Sequence, residues 1–199
     1  MMRRAVVLIP IGAIPADLVE WLAERLEETI GRSAAVGEAI PLPGAGYDPR
    51  RRQYRGDALL IVLRLLPHPT ASRLLGLADA DCFAPRLNFV FGQATAGGRE
   101  AFVALPRLRP SFYGLPDDEL LFRQRVLKEA VHELGHTWGL PHCPDRCCVM
   151  HFSNSLHDTD VKEAGFCSRC EERLKESNDA FGYAVEDTRT LQNLPKDRA

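Results

Sequence analysis

Residues 132–142 read HELGHTWGLPH, which fits the pattern HExxHxxGxxH. Residues four positions apart lie on the same face of a helix, so His132 and His136 can reach one metal ion. Gly139 allows a left-handed turn, which can bring His142 round as a third ligand. Three neutral imidazoles leave a tetrahedral Zn²⁺ with an open fourth position for water. The segment therefore predicts a catalytic zinc site on a long helix.

Glu133 directly follows the first histidine. Its carboxylate can accept a proton from water at the open position, which is the role of a general base. The expected reaction is hydrolysis of a peptide or related amide without a covalent intermediate. Five fixed positions match by chance with a probability on the order of 10⁻⁴ over a chain of this length. Histidines that only pack or cap are therefore a weak alternative.

Five of the six cysteines fall within 28 residues, directly after these histidines. Cys167 and Cys170 form a CxxC pair, and Cys143 with either Cys147 or Cys148 supplies a second pair. Four thiolates suit a tetrahedral zinc site with no open position, which is structural. Both upstream spacings are allowed, so the residues alone leave that choice open. Disulfides or free thiols are the alternative.

The helix that carries HExxH is expected to begin at Pro116 and to end at Gly139. Proline suits the first turn of a helix, and glycine suits its end. A loop is expected over 140–160. A short helix should then begin behind Asp160, with Glu163 completing a capping box.

The N-terminal half predicts a mixed sheet in the order β-α-β-α-β-β-β, with helices over 16–30 and 50–66. The expected strands are 5–11, 35–42, 73–82, 87–94 and 100–108. Strands joined through helices are normally parallel, and strands joined by a few residues are antiparallel. At least one strand should therefore run antiparallel. The first segment imitates a secretory signal, but no cleavage site follows, which favours a buried strand.

The length of 199 residues suits one core with a small annex. We expect an N-terminal subdomain over 1–139, a C-terminal subdomain over 140–183 and a polar tail over 184–199. A net charge of −2 gives no basic field to attract nucleic acid. No apolar run approaches the roughly 20 residues that span a bilayer. A cytoplasmic monomer is expected, with neither nucleic acid nor membrane as a partner.

The segment HELGHTWGLPHC, followed by CVM, HFSNS and FCSRC, resembles the archaemetzincins, the cysteine-rich branch of the metzincin metallopeptidases. NFVFG (88–92) and YxxRxxQY (47–54) look similar as well, and the resemblance is strongest over 129–170. It implies an α/β fold with a mixed five-stranded sheet and two helices, a long active-site helix and a loop-rich, zinc-stapled C-terminal subdomain. The antiparallel strand, 87–94, would form the upper rim of the cleft and could pair with extended substrate.

The resemblance also implies two zinc ions and their ligands. The catalytic zinc would be bound by His132, His136 and His142, with Glu133 as the base. The structural zinc would be bound by Cys143, Cys148, Cys167 and Cys170. This set leaves Cys147 as an extra thiol. Met150 matches the methionine of the Met-turn, and Phe152 stands where some metzincins have a tyrosine that can approach the metal.

The leading hypothesis is a zinc-dependent metallopeptidase that hydrolyses peptide or protein substrates. The alternative is a non-catalytic zinc-binding module that recognises a partner. Glu133 argues against the alternative, because a structural site needs no general base. A third class, a redox or metal-buffering protein, would need labile thiolates.

Overall fold

The structure, a computed structural model of the 199-residue chain, describes residues 6–68 and 71–176. In chain order the strands are β1 (Val6–Ile11), β2 (Ala34–Val36), β3 (Tyr47–Asp48), β4 (Gln53–Arg55), β5 (Arg73–Ala78), β6 (Cys82–Phe83), β7 (Gly92–Ala94) and β8 (Glu100–Ala104). The α-helices are α1 (Ala16–Ile30), α2 (Gly56–Leu65), α3 (Glu119–Thr137) and α4 (Leu156–Val161). Residues 168–176 are also helical. The expected tail over 184–199 lies outside the described residues.

The main sheet has five strands in the order β2-β1-β5-β8-β7. Four of them are parallel, and β7 runs antiparallel to β8 at the edge. This arrangement confirms the predicted mixed sheet with one antiparallel member. The antiparallel strand consists of the last three residues of the segment expected over 87–94. The predicted division at residue 139 stays a prediction.

Both faces of this sheet are covered. On β1, Leu8 belongs to the apolar cluster of α1 and α3, whereas the next residue, Ile9, belongs to the cluster of α2. On β5, Leu75 likewise belongs to the cluster of α1 and α3, and Leu74 belongs to the cluster of α2. Strands buried on both faces are continuously apolar, as the VVLIPI sequence of β1 is. Within the described residues, no helix has the length and apolar content needed to cross a membrane.

The helix expected over 50–66 was wrong in its first turns, because α2 begins only at Gly56. The Asp48 carboxylate accepts hydrogen bonds from the backbone N–H groups of Arg50 and Arg51, at 2.9 and 3.2 Å. Short acidic side chains that bond nearby amides favour turns over helices. The turn leads into β4, which joins β3 and β6 in a second, three-stranded sheet that was not predicted.

Besides the segment 87–94, three expected strands were too long. The strand expected over 35–42 is reduced to β2, which ends at Val36. Gly37 follows it, where a Cβ would lie only 2.6 Å from Cδ1 of Ile9. The segment 73–82 divides between the two sheets, as β5 and β6. The strand expected over 100–108 ends at Ala104, and a 3₁₀ turn follows it.

Helix α3 begins at Glu119 rather than at the predicted Pro116. The Asp118 side chain is its N-cap and accepts a hydrogen bond from the Leu121 N–H at 2.9 Å. The predicted C-terminal end is confirmed, since Gly139 has a left-handed φ of 85° directly after the helix.

The helix expected behind Asp160 was wrong, because that residue lies near the end of α4. The capping box is formed earlier, by Ser155 and Asp158. The Ser155 hydroxyl accepts from the Asp158 N–H, and the Asp158 carboxylate accepts from the Ser155 N–H. Ser155 and Asp158 thus satisfy two backbone N–H groups at once, and this pair, rather than Asp160 with Glu163, sets the start of the helix.

Replacement of Asp118 by alanine should lower the free energy of unfolding by about 1 kcal/mol, because the Leu121 amide loses its acceptor. Urea unfolding would measure this change. Asp117→Ala is the matched control: it removes an exposed negative charge from the same end of the helix without removing the cap. Equal losses in the two variants would attribute the effect to the helix dipole and contradict the capping role.

Candidate metal centres

The three predicted histidine ligands converge at the C-terminal end of α3. The ring centroids of His132 and His136 lie 4.6 Å apart, and that of His142 lies 5.4 and 4.8 Å from them. One nitrogen from each ring lies within 4.8 Å of the others. The helix supplies the first two rings from one face, and the turn at Gly139 brings the third back towards them.

The hydrogen bonds of two rings fix their tautomers. His132 Nδ1 lies 2.8 Å from the Val149 carbonyl, and His136 Nδ1 lies 2.8 Å from the Leu140 carbonyl. A carbonyl can only accept, so both Nδ1 atoms donate and both Nε2 atoms carry lone pairs. These Nε2 atoms lie 3.1 Å apart. Two lone pairs at that distance repel each other unless a cation binds both, and neutral imidazole nitrogens are ligands that suit Zn²⁺.

Burial lowers the pKa of all three histidines, most strongly that of His132. The Lys162 ammonium lowers the pKa of all three as well, whereas the Glu129 carboxylate raises that of His136. The rings are therefore held neutral, which is the protonation state that binds a metal. The donor set thus fits a divalent ion on both geometry and charge.

Glu133 lies beside the histidines and is only 5% exposed. Burial raises its pKa well above the usual value, the Glu129 carboxylate raises it further, and Lys162 opposes both. A carboxylate in such a place is suited to take up a proton.

Two glycines make room for this arrangement. A Cβ on Gly92 would lie 2.6 Å from the Phe102 carbonyl oxygen of β8 and 2.7 Å from both Cγ and Oε1 of Glu133, so edge strand β7 can approach both its neighbouring strand and the carboxylate only with glycine there. Gly135 lies against Met150, whose sulfur is closer to the position of a Cβ than any side chain could tolerate. The methionine is fully buried beneath the helix turn that carries the histidines. It packs there, as predicted.

A cleft of about 490 Å³ opens over these residues. One wall is the segment 84–94 with β7, and the opposite wall is Phe152–Asn154. The Phe152 ring lies 5.0 Å from that of His142, in the position considered for a metal-approaching tyrosine. His151 donates from Nδ1 to the Cys143 carbonyl at 3.0 Å and does not line the cleft.

A buried ion pair behind the histidines was missed from the sequence. Lys162 Nζ lies 3.0 Å from Glu129 Oε1, and the Thr159 hydroxyl donates to the same oxygen at 2.9 Å. All three residues are buried, and Glu129 also lines the cleft. Glu129 precedes Glu133 by four residues and so shares its helix face. That spacing could have identified the glutamate, but no pattern identified the lysine.

Within the described part of the chain, a second cluster brings together four sulfur atoms that lie within 4.8 Å of one another. Its members are Cys143, Cys148, Cys167 and Cys170. Of the two spacings left open, the geometry selects the one with Cys148. Cys147 is exposed, outside the cluster. Cys82 is also outside it, and burial raises the pKa of its thiol to about 12.

The thiol environments differ within the cluster. Burial opposes ionisation of Cys143, but hydrogen bonds from the Asp145 backbone and from the Arg169 guanidinium lower its pKa to about 7. Burial raises the pKa of Cys148 and of Cys170. Buried sulfurs so close together lose this penalty when a cation binds them all, so the donor set fits a closed, all-thiolate zinc site.

A family model described as "Peptidase family M54" matches residues 53–176 of the chain. An archaemetzincin from Methanopyrus kandleri is 45% identical over 166 residues, which cover 82% of this chain and 91% of that protein. An archaemetzincin from Pyrococcus furiosus is 39% identical over 181 residues, which cover 88% of this chain and 94% of that protein.

Solved structures of archaemetzincins are also similar to this chain. The crystal structure of the Methanopyrus kandleri archaemetzincin has a TM-score of 0.79 and 41% identity, covering 90% of this chain and 98% of that chain. The archaemetzincin of Archaeoglobus fulgidus, crystallised with malonate, has a TM-score of 0.72 and 37% identity. The match covers 84% of this chain and 98% of that chain.

Substitution of Gly92 by alanine should lower peptidase activity by about 100-fold, because either Glu133 or β7 must move. The zinc content should stay at the wild-type level, since no histidine is displaced. Gly44→Ala is the control, because a Cβ there meets nothing within 4 Å. Peptide cleavage and metal analysis test both variants. Full activity in Gly92→Ala would show that the close contact does not position the carboxylate.

Proposed function

The chain belongs to peptidase family M54, the archaemetzincins, and is a zinc metallopeptidase; from that premise we propose that Glu133 is its general base and that His132, His136 and His142 hold the catalytic zinc. The observation that carries the proposal is the pair of facing Nε2 atoms, 3.1 Å apart, beside a buried carboxylate. Substrates of a peptidase are peptides or proteins.

In this proposal the protein residues divide the work between metal binding and proton transfer. The three imidazoles hold the ion, and the Val149 and Leu140 carbonyls orient two of the rings. When bound, Zn²⁺ supplies Lewis acidity towards the scissile carbonyl and lowers the pKa of water to about 7. A carboxylate oxygen of Glu133 accepts the proton of the attacking water. The same oxygen then delivers this proton to the nitrogen of the leaving amine, which restores the carboxylate.

The cleft favours an extended substrate. Strand β7 lies at the edge of the main sheet, so one side of its backbone is free of strand partners within the described residues. An extended peptide can add to such an edge through main-chain hydrogen bonds. This pairing would lay the peptide along the cleft, over Glu133 and the histidines.

The alternative is a non-catalytic zinc-binding module. The buried Glu133 argues against it, because burying an ionisable group without need is costly. A module that only recognised a partner could place an apolar residue there. Turnover in a peptide assay separates the two functions.

Replacement of Glu133 by alanine should abolish peptide cleavage and leave zinc binding intact, because the side chain is not among the proposed ligands. Cleavage of an unbiased peptide library, with and without a chelator, measures the first effect, and elemental analysis measures the second. Glu20→Ala removes an exposed carboxylate from α1, outside both metal clusters, and serves as the control. Turnover that survives in Glu133→Ala would refute the assigned base.

We further propose that Cys143, Cys148, Cys167 and Cys170 hold the structural zinc. The chain should then contain two zinc ions, and one after Cys167→Ser and Cys170→Ser together. Cys147→Ser is the matched control, since this thiol is adjacent to the cluster but outside it. Elemental analysis of the three proteins provides the measurement. Loss of a zinc ion from Cys147→Ser would contradict the selection of Cys148.

A further inference from the structure

The two metal centres share one short stretch of backbone, residues 147–150. We infer that metal occupancy of the four-cysteine cluster sets the metal affinity of the three-histidine site, with Val149 and Cys143 as the positioning residues. The inference rests on the ligands proposed above. It goes beyond them because it makes the two sites one coupled system.

Val149 provides the first connection. Its carbonyl accepts the hydrogen bond from His132 Nδ1 at 2.8 Å, and its N–H donates to the Gly165 carbonyl at 3.0 Å. The neighbouring Cys148 is a member of the cluster, and its sulfur accepts from the Cys167 N–H at 3.4 Å. Val149, which orients the first histidine, therefore lies between two segments that are joined by backbone hydrogen bonds and by the sulfur atoms of the cluster.

Cys143 provides the second connection. It follows His142 directly, and its sulfur belongs to the cluster. Its N–H donates to the Met150 carbonyl at 2.9 Å, and its carbonyl accepts from His151 Nδ1 at 3.0 Å. His142 is exposed, so the backbone of its neighbour contributes to the position of its ring, together with the adjacent Phe152 ring.

The segment around Lys162 and Glu163 joins residues 147–150 to α3. Glu163 donates its N–H to the Cys147 carbonyl at 2.8 Å, and the preceding residue is Lys162. The ammonium of Lys162 reaches Glu129, one helical turn before His132. The segment that leads to Cys167 is thus tied both to the cluster and to the histidine helix.

His136 has a different support. Its Nδ1 donates to the Leu140 carbonyl, directly after the helix and before the first cysteine. Two of the three ligands therefore depend on the cluster and one does not. Groups that orient metal ligands typically contribute about 10–100-fold to metal affinity. We expect an effect of that size when the cluster is empty.

The first experiment uses the full chain with Cys167→Ser and Cys170→Ser. Competition with a chelator for Zn²⁺ measures the affinity of the histidine site. Co²⁺ loading identifies the site that is filled, because only thiolate ligation gives sulfur-to-metal charge-transfer bands. The affinity of the histidine site should fall by roughly 10–100-fold. An unchanged affinity in a folded variant would overturn the inference.

The second experiment decides the question if the double cysteine variant does not fold. His136→Ala removes a ligand that is not supported by the cluster segment. Coupling between binding sites is reciprocal, so the Zn²⁺ affinity of the cluster should fall by the same factor. A cluster that binds Zn²⁺ as tightly in His136→Ala as in the wild type would refute the coupling.

Leu26→Ala separates local coupling from a general loss of stability. Leu26 is fully buried in α1 and lies outside both metal segments. Its truncation should cost about 2–5 kcal/mol of stability while leaving both affinities of the folded protein unchanged. Equal weakening in Leu26→Ala would overturn the inference. The wild-type zinc content tests the premise separately: fewer than two ions refutes the ligand assignment, whereas two ions with independent affinities refutes only the coupling.

Discussion

The hydrogen bond from His132 Nδ1 to the Val149 carbonyl is the constraint on which the site depends. It turns the lone pair of His132 Nε2 towards that of His136, at 3.1 Å. Without a cation the two lone pairs repel each other. The fold therefore holds the ligands in an arrangement that a bound metal ion would stabilise. The fully buried Met150 packs against Gly135 in the same helix turn and helps to hold that turn in position.

Two buried carboxylates and one buried ammonium group lie near this centre. Glu129 and Glu133 are carboxylates on one face of α3, and the Lys162 ammonium lies between the helix and the cysteine segment. An unpaired buried carboxylate would be expensive, and a lysine within 3.0 Å reduces that cost for Glu129. Glu133, the proposed general base, is the carboxylate left without an ion-pair partner within the described residues. It is therefore the one suited to exchange a proton.

The misplaced helix starts of the sequence-based fold share one cause. Apolar periodicity identified α1 and the five strands of the main sheet, but side chains that bond nearby amides moved the ends of the elements. Asp48 turned the beginning of the expected second helix into a hairpin. Asp118 delayed α3, and Ser155 with Asp158 placed α4 earlier. Such bonds depend on local backbone geometry, which hydrophobic spacing does not report.

The sequence by itself predicted the chemistry that we propose for the site, because the spacing of HExxHxxGxxH places two histidines and a carboxylate on one helix and a third histidine after a glycine turn. The identity of the second cysteine pair was different: two spacings were equally allowed, and only the folded chain brings the sulfur of Cys148 to the other three. The Glu129–Lys162 pair and the contact of Gly92 with Glu133 likewise belong to the tertiary structure alone. These contacts join residues distant along the chain, and their distances are set by how helix, sheet and loop pack rather than by any local pattern.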